Sequence, residues 1–187
     1  VTDYIGSCIS CLRLKPKRAG RIAGPMATPK PVYRPFERVS IDVLTVREKA
    51  NFPHALIVVD HSTRYLIAVA LRTNTMQEVA EALYTNVIER YGPIVKVVSD
   101  RGDSVSGSTL QDLFRAFGTT NARTTPYHPQ GNGANERVNS TLLTYLRFLA
   151  ERHPDNWDRF LGAACYVYNT AYQTALATSP YFLMYGR

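Results

Sequence analysis

The sequence predicts an α/β fold in which a mixed five-stranded sheet is flanked by helices. Three observations predict it. Three strand patterns with short links follow one another between residues 39 and 71, which favours an antiparallel meander. Two further strand patterns, at 94–99 and 119–125, then alternate with helix patterns. Strands that alternate with helices in this way indicate helices packed on both faces of one sheet.

The first three strands differ in pattern. Residues 39–46 alternate between apolar and polar side chains, as expected of a strand whose two faces differ. One face would carry Val39, Ile41 and Val43, and the other Ser40, Asp42 and Leu44. The second and third strands, 55–60 and 65–71, are nearly continuous apolar runs joined by the polar turn 61–64.

Capping residues and glycines mark the first two helices. Capping-box patterns at 75–78 and 108–111 predict their starts. Gly92-Pro93 would end the first helix and Gly118 the second, because glycine and proline both disfavour the continuation of a helix.

The last part of the chain is predicted to be helical after an irregular stretch at 126–133, which is rich in proline and glycine. A long helix is expected to begin near Gly133 and to end at His153-Pro154. Its predicted apolar face consists of Ala134, Val138, Leu142, Tyr145 and Leu149. Another helix is expected over 156–171, and a final turn or helix near 181–185.

Composition limits the class of protein. The chain has 187 residues, of which 45% are hydrophobic and 20% charged, which is typical of a globular domain. No run approaches 18 apolar residues, and no secretory signal is visible at the N-terminus, so neither a transmembrane helix nor secretion is expected. Three cysteines do not make a disulfide framework, and we expect a reducing, intracellular setting.

The positive charge is concentrated at the N-terminus. The net charge is +7, yet residues 1–38 carry eight basic and two acidic residues, whereas 39–187 are nearly neutral. Five prolines between residues 12 and 38 exclude a helix or a central strand there, so we interpret this segment as an extended linker. A basic arm on a neutral domain favours nucleic acid as the partner, with Lys15, Lys17 and Arg18 as candidate contacts. A solvated linker that only aids solubility is the alternative.

Three carboxylates are candidates for metal binding. Asp42 lies within the first predicted strand, Asp100 follows the fourth, and Glu136 lies in the first turn of the long helix. Each could have a structural role alone, in a cap, a salt bridge or at a helix dipole. If the three meet, a cation is needed to offset their repulsion, and hard oxygen ligands suit Mg²⁺ or Mn²⁺.

The motifs around these acids match a known pattern. Asp42 and Asp100 have 57 residues between them, and Asp100 and Glu136 have 35. The flanking motifs are Ser40-Ile-Asp42, Val98-Ser-Asp100-Arg-Gly102 and the run from Thr125 through Glu136-Arg137. Further downstream stand Tyr168-Asn169-Thr170 and the run from Thr178 to Arg187. Together they resemble the catalytic core of retroviral and long-terminal-repeat retrotransposon integrases, most closely the gypsy-type branch.

The resemblance implies a ribonuclease H-like fold and a DNA-joining activity. It implies that water trims the 3′ ends of the element's DNA and that the new 3′-hydroxyls then attack target DNA. By the family pattern, Asp42, Asp100 and Glu136 bind two Mg²⁺ (or Mn²⁺) ions. The resemblance also implies self-association into a multimer, a tetramer on DNA, with no membrane partner. It implies action in the nucleus, reached through a virus-like particle or preintegration complex.

DNA contacts are expected on both sides of Glu136. The resemblance implies that Tyr127, Gln130 and Asn132 touch viral-end DNA from a loop that glycines make mobile. Retroviral relatives place lysines one and two turns after the glutamate, where this chain has Ser140 and Leu143. Arg137 and Arg147 are therefore the candidates for phosphate contacts on the long helix.

Cys8 and Cys11 form a C-x-x-C pair near the N-terminus. The resemblance implies that they are the second half of a His-His-Cys-Cys zinc module. A tetrahedral Zn²⁺ site needs four ligands, so its two histidines are expected upstream of residue 1. A redox motif is the alternative, although no helix pattern follows the pair. Cys165 is expected in the core.

The predicted organisation has three parts: the end of an incomplete zinc module at 1–11, a basic linker at 12–38, and an integrase catalytic core at 39–187. Two other functions remain open. One is a domesticated, non-catalytic DNA- or chromatin-binding protein on the same fold, and the other is a plain nuclease of that fold. Retention of all three acids favours the joining enzyme over the binder.

Overall fold

The computed structural model describes residues 34–99, 108–123 and 129–187, and for side chains it omits 108, 122, 123 and 129–134. Within the described residues, five strands form one sheet in the order β3-β2-β1-β4-β5. They are β1 (Arg38–Thr45), β2 (His54–Asp60), β3 (Leu66–Leu71), β4 (Lys96–Ser99) and β5 (Thr120–Arg123). β1, β2 and β3 pair antiparallel, whereas β1–β4 and β4–β5 pair parallel. The mixed sheet that the sequence predicts is confirmed.

Helices connect and cover the strands in the predicted order. They are α1 (Met76–Leu83), α2 (Glu89–Tyr91), α3 (Ser108–Ala116), α4 (Pro129–Leu149), α5 (Asp158–Thr170) and α6 (Pro180–Tyr185). A five-residue π-helix, Tyr84–Ile88, joins α1 to α2, and a 3₁₀ turn, Pro154–Asn156, precedes α5. Within the described part of the chain, no helix combines the length and the apolar character that crossing a bilayer requires.

The sheet has a core on each face. On one face Val39 and Ile41 of β1 pack with α1 and α3. On the other, Ile57 and Val59 of β2 pack with α4 and α5. β2 is buried on both faces, which explains its nearly continuous apolar sequence. The two layers of helices therefore hold β1 in the middle of the molecule.

Two details of the helix starts differ from the sequence prediction. Thr75 makes no side-chain cap; instead the Glu78 carboxylate accepts from the backbone N–H groups of Arg72 and Thr73, each at 2.7 Å. The loop from β3 thus supplies the donors that the capping box assigns to the N-cap. α4 begins at Pro129, four residues before Gly133, because proline suits the first helical position, where an N–H would have no partner.

The buried face of α4 is also rotated from the predicted one. Its buried residues are Val138, Leu142, Leu146 and Ala150, which are four residues apart. Leu149, predicted to face inward, is 38% exposed. Tyr145 only borders the core. Each step of four residues turns about 40° beyond one full helical turn, so this buried row winds obliquely around the helix and leaves the stripe that the predicted set follows.

Asn169 closes the outer edge of the sheet at β3. Its side-chain Oδ1 accepts from the Leu66 N–H and its Nδ2 donates to the Leu66 carbonyl, both at 2.8 Å. Asn169 is 3% exposed and Leu66 is 1% exposed, so water does not replace these bonds. This amide occupies the place of a neighbouring strand at that residue.

We predict that Asn169→Ala lowers the free energy of unfolding by about 2–4 kcal/mol, because two buried backbone groups lose their partners. Urea unfolding measures the change. Asn86→Ala is the control, since Asn86 makes one partly exposed bond, to the Ala82 carbonyl. Its expected cost is below about 1 kcal/mol. Equal losses in the two variants would contradict this role of Asn169.

Candidate functional site

Asp42 lies in the middle of β1, on the strand face that α4 covers. The alternation predicted for this strand holds, because Val39 and Ile41 enter the core on the opposite face. Asp42 is only half-buried, whereas Ser40, two residues earlier on the same face, is 2% exposed. A carboxylate in this position therefore needs a polar partner from the covering helix.

α4 supplies that partner. Asn139 Nδ2 donates to Asp42 Oδ2 at 2.8 Å. One turn earlier, Asn135 Oδ1 accepts a hydrogen bond from Ser40 Oγ, also at 2.8 Å. Residues four apart share one helix face, so the two asparagines meet two alternate residues of β1. These two bonds fix how α4 lies across the strand.

Glu136 stands on the same turn of α4 as Asn135 and is exposed. Asp42, its predicted partner in metal binding, accepts a hydrogen bond from Asn139, which lies three residues further along the helix. Among the described residues, no group of three potential ligands (His, Cys, Asp or Glu) is assembled. Asp100, the third predicted acid, lies outside the described residues; Ser99, which precedes it, is opposite Ile41, which precedes Asp42.

Several predicted site residues lie outside the described part of the chain. Residues without a described position are Cys8, Cys11, Lys15, Lys17, Arg18 and Tyr127. Gln130 and Asn132 belong to the first turn of α4 by their backbone, and their side chains are not described. α4 therefore includes residues that the sequence assigns to an irregular loop.

The structure does not bring Arg137 and Arg147 together. Both are exposed on α4, but they line different cavities. Arg147 lines a cavity of about 460 Å³ with Arg47 and Trp157, beyond the end of β1. Arg137 lines a cavity of about 470 Å³ with Arg64 and Tyr172, between α4 and the residues after α5. The two arginines therefore belong to separate surfaces of the molecule.

Asn135 and Asn139 are the site residues that sequence reasoning missed. Their signal was available, because two asparagines four residues apart flank a candidate catalytic glutamate. The apolar face proposed for the helix did not include either residue. Ser40 was part of a recognised motif, but nothing in the sequence identifies Asn135 as its partner.

The start of β1 carries a concentration of positive charge. His61 Nε2 and Arg38 Nε are buried and have no hydrogen-bond partner in the described part of the chain. Burial lowers the pKa of His61 to about 4, with further lowering by the guanidinium groups of Arg38 and Arg64. The His61 ring is therefore neutral at pH 7, and its protonation would add a third cation to this group.

Comparisons with known proteins agree with this architecture. The family model described as "Integrase core domain" matches residues 32–129. A retrovirus-related Pol polyprotein from transposon 412 of Drosophila melanogaster is 29% identical over 166 residues, which is 87% of this chain. The Tf2-3 transposon polyprotein of Schizosaccharomyces pombe is 25% identical over 187 residues, which is 99% of this chain. The chain spans only 13% and 14% of the lengths of these two polyproteins.

Two solved structures are similar in fold. The catalytic core domain of BIV integrase matches with a TM-score of 0.65 and 20% identity, over 80% of this chain and 93% of that one. A chain of the simian T-cell lymphotropic virus intasome, solved in complex with the PP2A regulatory subunit B56 gamma, gives a TM-score of 0.74 and 20% identity. That match covers 98% of this chain and 65% of the other. The ribonuclease H-like fold expected from the sequence is thereby confirmed.

We predict that stability falls as the pH drops from about 6.5 towards about 4, and that His61→Gln reduces the fall. In this window the unfolded chain binds a proton at residue 61 and the folded chain does not, so acid favours unfolding. The acid-induced loss in the free energy of unfolding should be about 2–3 kcal/mol larger for the wild-type protein than for His61→Gln at about pH 4. Urea unfolding across this pH range measures it. His153→Gln, at an exposed position, is the control, and an equal effect there would contradict the assignment.

Proposed function

The chain belongs to the integrase core domain family, and we propose that it is a divalent-metal-dependent polynucleotidyl transferase and endonuclease. Its proposed reactions are the trimming of the 3′ ends of retroelement DNA and the transfer of those ends into target DNA. The observation that carries the proposal is the hydrogen bond between Asp42 and Asn139, which ties the strand acid to the helix that carries Glu136. The retrotransposon relatives support retroelement DNA as the substrate.

The proposed ligand set is Asp42, Asp100 and Glu136, and its chemistry fits Mg²⁺ or Mn²⁺. Carboxylate oxygens are the ligands that these ions prefer. The bond from Asn139 uses Asp42 Oδ2, and among the described residues Oδ1 accepts no hydrogen bond. When bound, two such ions would activate the attacking oxygen and stabilise the leaving oxygen of a phosphodiester.

The chain's own residues position this site. Asn139 holds Asp42 in one orientation, so the carboxylate does not have to be ordered when substrate arrives. Asn139 Oδ1 is buried and has no hydrogen-bond partner among the described residues, so the Nδ2 bond to Asp42 orients the amide. The hydrogen bond between Ser40 and Asn135 fixes the position of α4 along β1, and with it the position of Glu136. Glu136 is exposed and therefore accessible to DNA.

We predict that Asp42→Asn abolishes end trimming and strand transfer with Mg²⁺, because an amide is a poor ligand for a hard cation. Oligonucleotide substrates that mimic the element's ends measure both reactions, and circular dichroism checks the fold. Asp112→Asn is the matched control, since it removes an exposed carboxylate that pairs with Arg115. Full activity of Asp42→Asn would overturn the metal assignment. Inactivity of the wild-type chain in its complete protein would favour the non-catalytic DNA-binding alternative.

We also propose a role for the basic arm, residues 12–38, in binding DNA through Lys15, Lys17 and Arg18. Proposed as well are a zinc site completed by Cys8 and Cys11, multimerisation on DNA and action in the nucleus. The similarity in fold to a chain of an intasome supports the multimer.

We predict that deletion of residues 12–24 weakens duplex DNA binding and flattens its salt dependence, because each lost phosphate contact removes about 0.9 from the slope of log K against log salt. Fluorescence anisotropy over a salt series measures the slope. An unchanged slope would mean that the arm is only a tether. A scrambled arm of equal charge is the control, and it should retain the slope.

A further inference from the structure

A second cleft lies on the other flank of α4 from Asn139. The α4–α5 cleft, as we name it, has a volume of about 470 Å³ and is lined by Arg64, Arg137, Thr141, Tyr145, Tyr172 and their neighbours. Arg137, Thr141 and Tyr145 are four residues apart, so they follow one line along the helix. Asn135 and Asn139 follow a different line, towards β1. The cleft is therefore separate from the carboxylate site.

The described lining of the cleft is positively charged. It includes Arg64 and Arg137, and none of the described lining residues is Asp or Glu. The ion pairs found among the described residues join Arg47 to Asp155 and Arg115 to Asp112, so neither cleft arginine is neutralised there. Unpaired guanidinium groups in a concave site favour a ligand with phosphate or carboxylate groups.

The backbone conformation of the turn between β2 and β3 fixes the position of Arg64. Arg64 lies in this turn with φ at 62°, and its N–H donates to the Asp60 carbonyl at 3.0 Å. A positive φ is uncommon for a residue with a side chain, and it persists only where the surrounding structure enforces it. The turn thus presents the Arg64 guanidinium to the cleft from a fixed base.

Tyr172 supplies an aromatic surface at the mouth of the cleft. Tyr172 lines the cleft and is 70% exposed, so much of its ring is open to a ligand. The residues that follow it are pinned: the Gln173 N–H donates to the Thr178 carbonyl at 2.9 Å, and the Leu176 N–H to the Gln173 carbonyl at 3.0 Å. A rigid loop that presents an exposed ring is suited to stacking a planar group.

We propose that the α4–α5 cleft binds an unpaired DNA strand, with phosphates on Arg64 and Arg137 and a base stacked on Tyr172. Phosphate contacts combined with an aromatic platform are the features by which proteins hold single strands without reading sequence. This inference rests on the proposed function, because it assigns a second contact with the same DNA. It concerns strand binding away from the reacting phosphate.

The test measures strand binding without catalysis. A labelled oligothymidine is titrated into the full protein carrying Asp42→Asn, in EDTA, over a salt series. Arg64→Ala should weaken binding and lower the salt slope by about 0.7. Tyr172→Ala should raise Kd by roughly 5- to 100-fold, whereas Tyr172→Phe should retain binding, since it keeps the ring. Arg152→Ala, at an exposed position outside the cleft, should leave slope and Kd near their starting values.

A second measurement locates the strand. An oligonucleotide containing 5-iodouracil should crosslink to Tyr172 on irradiation, in the tryptic peptide 160–187, and Arg64→Ala should reduce the yield. The proposal would be overturned if Kd and salt slope were unchanged in both Arg64→Ala and Tyr172→Ala. It would also be overturned if polyglutamate displaced the oligothymidine and Tyr172→Ala had no effect on oligothymidine binding. Strand joining by the chain with native Asp42 is assayed separately, so loss of the cleft proposal leaves the proposed function testable by itself.

Discussion

A half-buried carboxylate in the middle of β1 constrains how the covering helix α4 packs against that strand. Asp42 cannot face a covering helix without a hydrogen-bond donor, and Asn139 of α4 provides one. With Ser40 bonded to Asn135 one turn away, the helix has a fixed register against β1. This register sets the position of Glu136, which apolar packing alone does not determine. The position of the proposed catalytic residues thus depends on two amide side chains with no proposed chemical role.

α4 divides the molecule into regions of different character. One face of the helix is apolar and closes the second core, through residues such as Leu142 and Leu146. The side next to β1 holds the asparagines, and the opposite side carries Arg137 above the α4–α5 cleft. Acidic and basic functions are thereby kept apart on one rigid element, so the carboxylates need not pair with nearby arginines. The proposed metal-dependent activity would benefit from this separation, since a paired carboxylate is a weaker metal ligand.

Much of the fold could be predicted because it follows local patterns. The alternation in β1, the buried run in β2 and the order of strands and helices all came from side-chain periodicity. The start of α4 and its buried face could not be obtained this way, since glycines near Pro129 suggest a loop and Leu149 fits an apolar stripe as well as Leu146 does. The partners of Asp42 and Leu66 are nearly a hundred residues or more away in sequence, so periodicity carries no information about them. For the same reason, nothing local indicates that Arg38, 23 residues from His61 in the sequence, helps to lower the pKa of its ring.

The amide that covers Leu66 has a consequence for how the protein can assemble. Of the strands that the structure describes, β3 is the outermost on its side of the sheet, and the backbone groups of Leu66 are already used by Asn169. An extended segment from another chain cannot add to the sheet there by main-chain pairing without first displacing a buried side chain. Association at this end of β3 must therefore rely on side-chain contacts, which can encode the identity of a partner, and not on generic backbone pairing, which cannot.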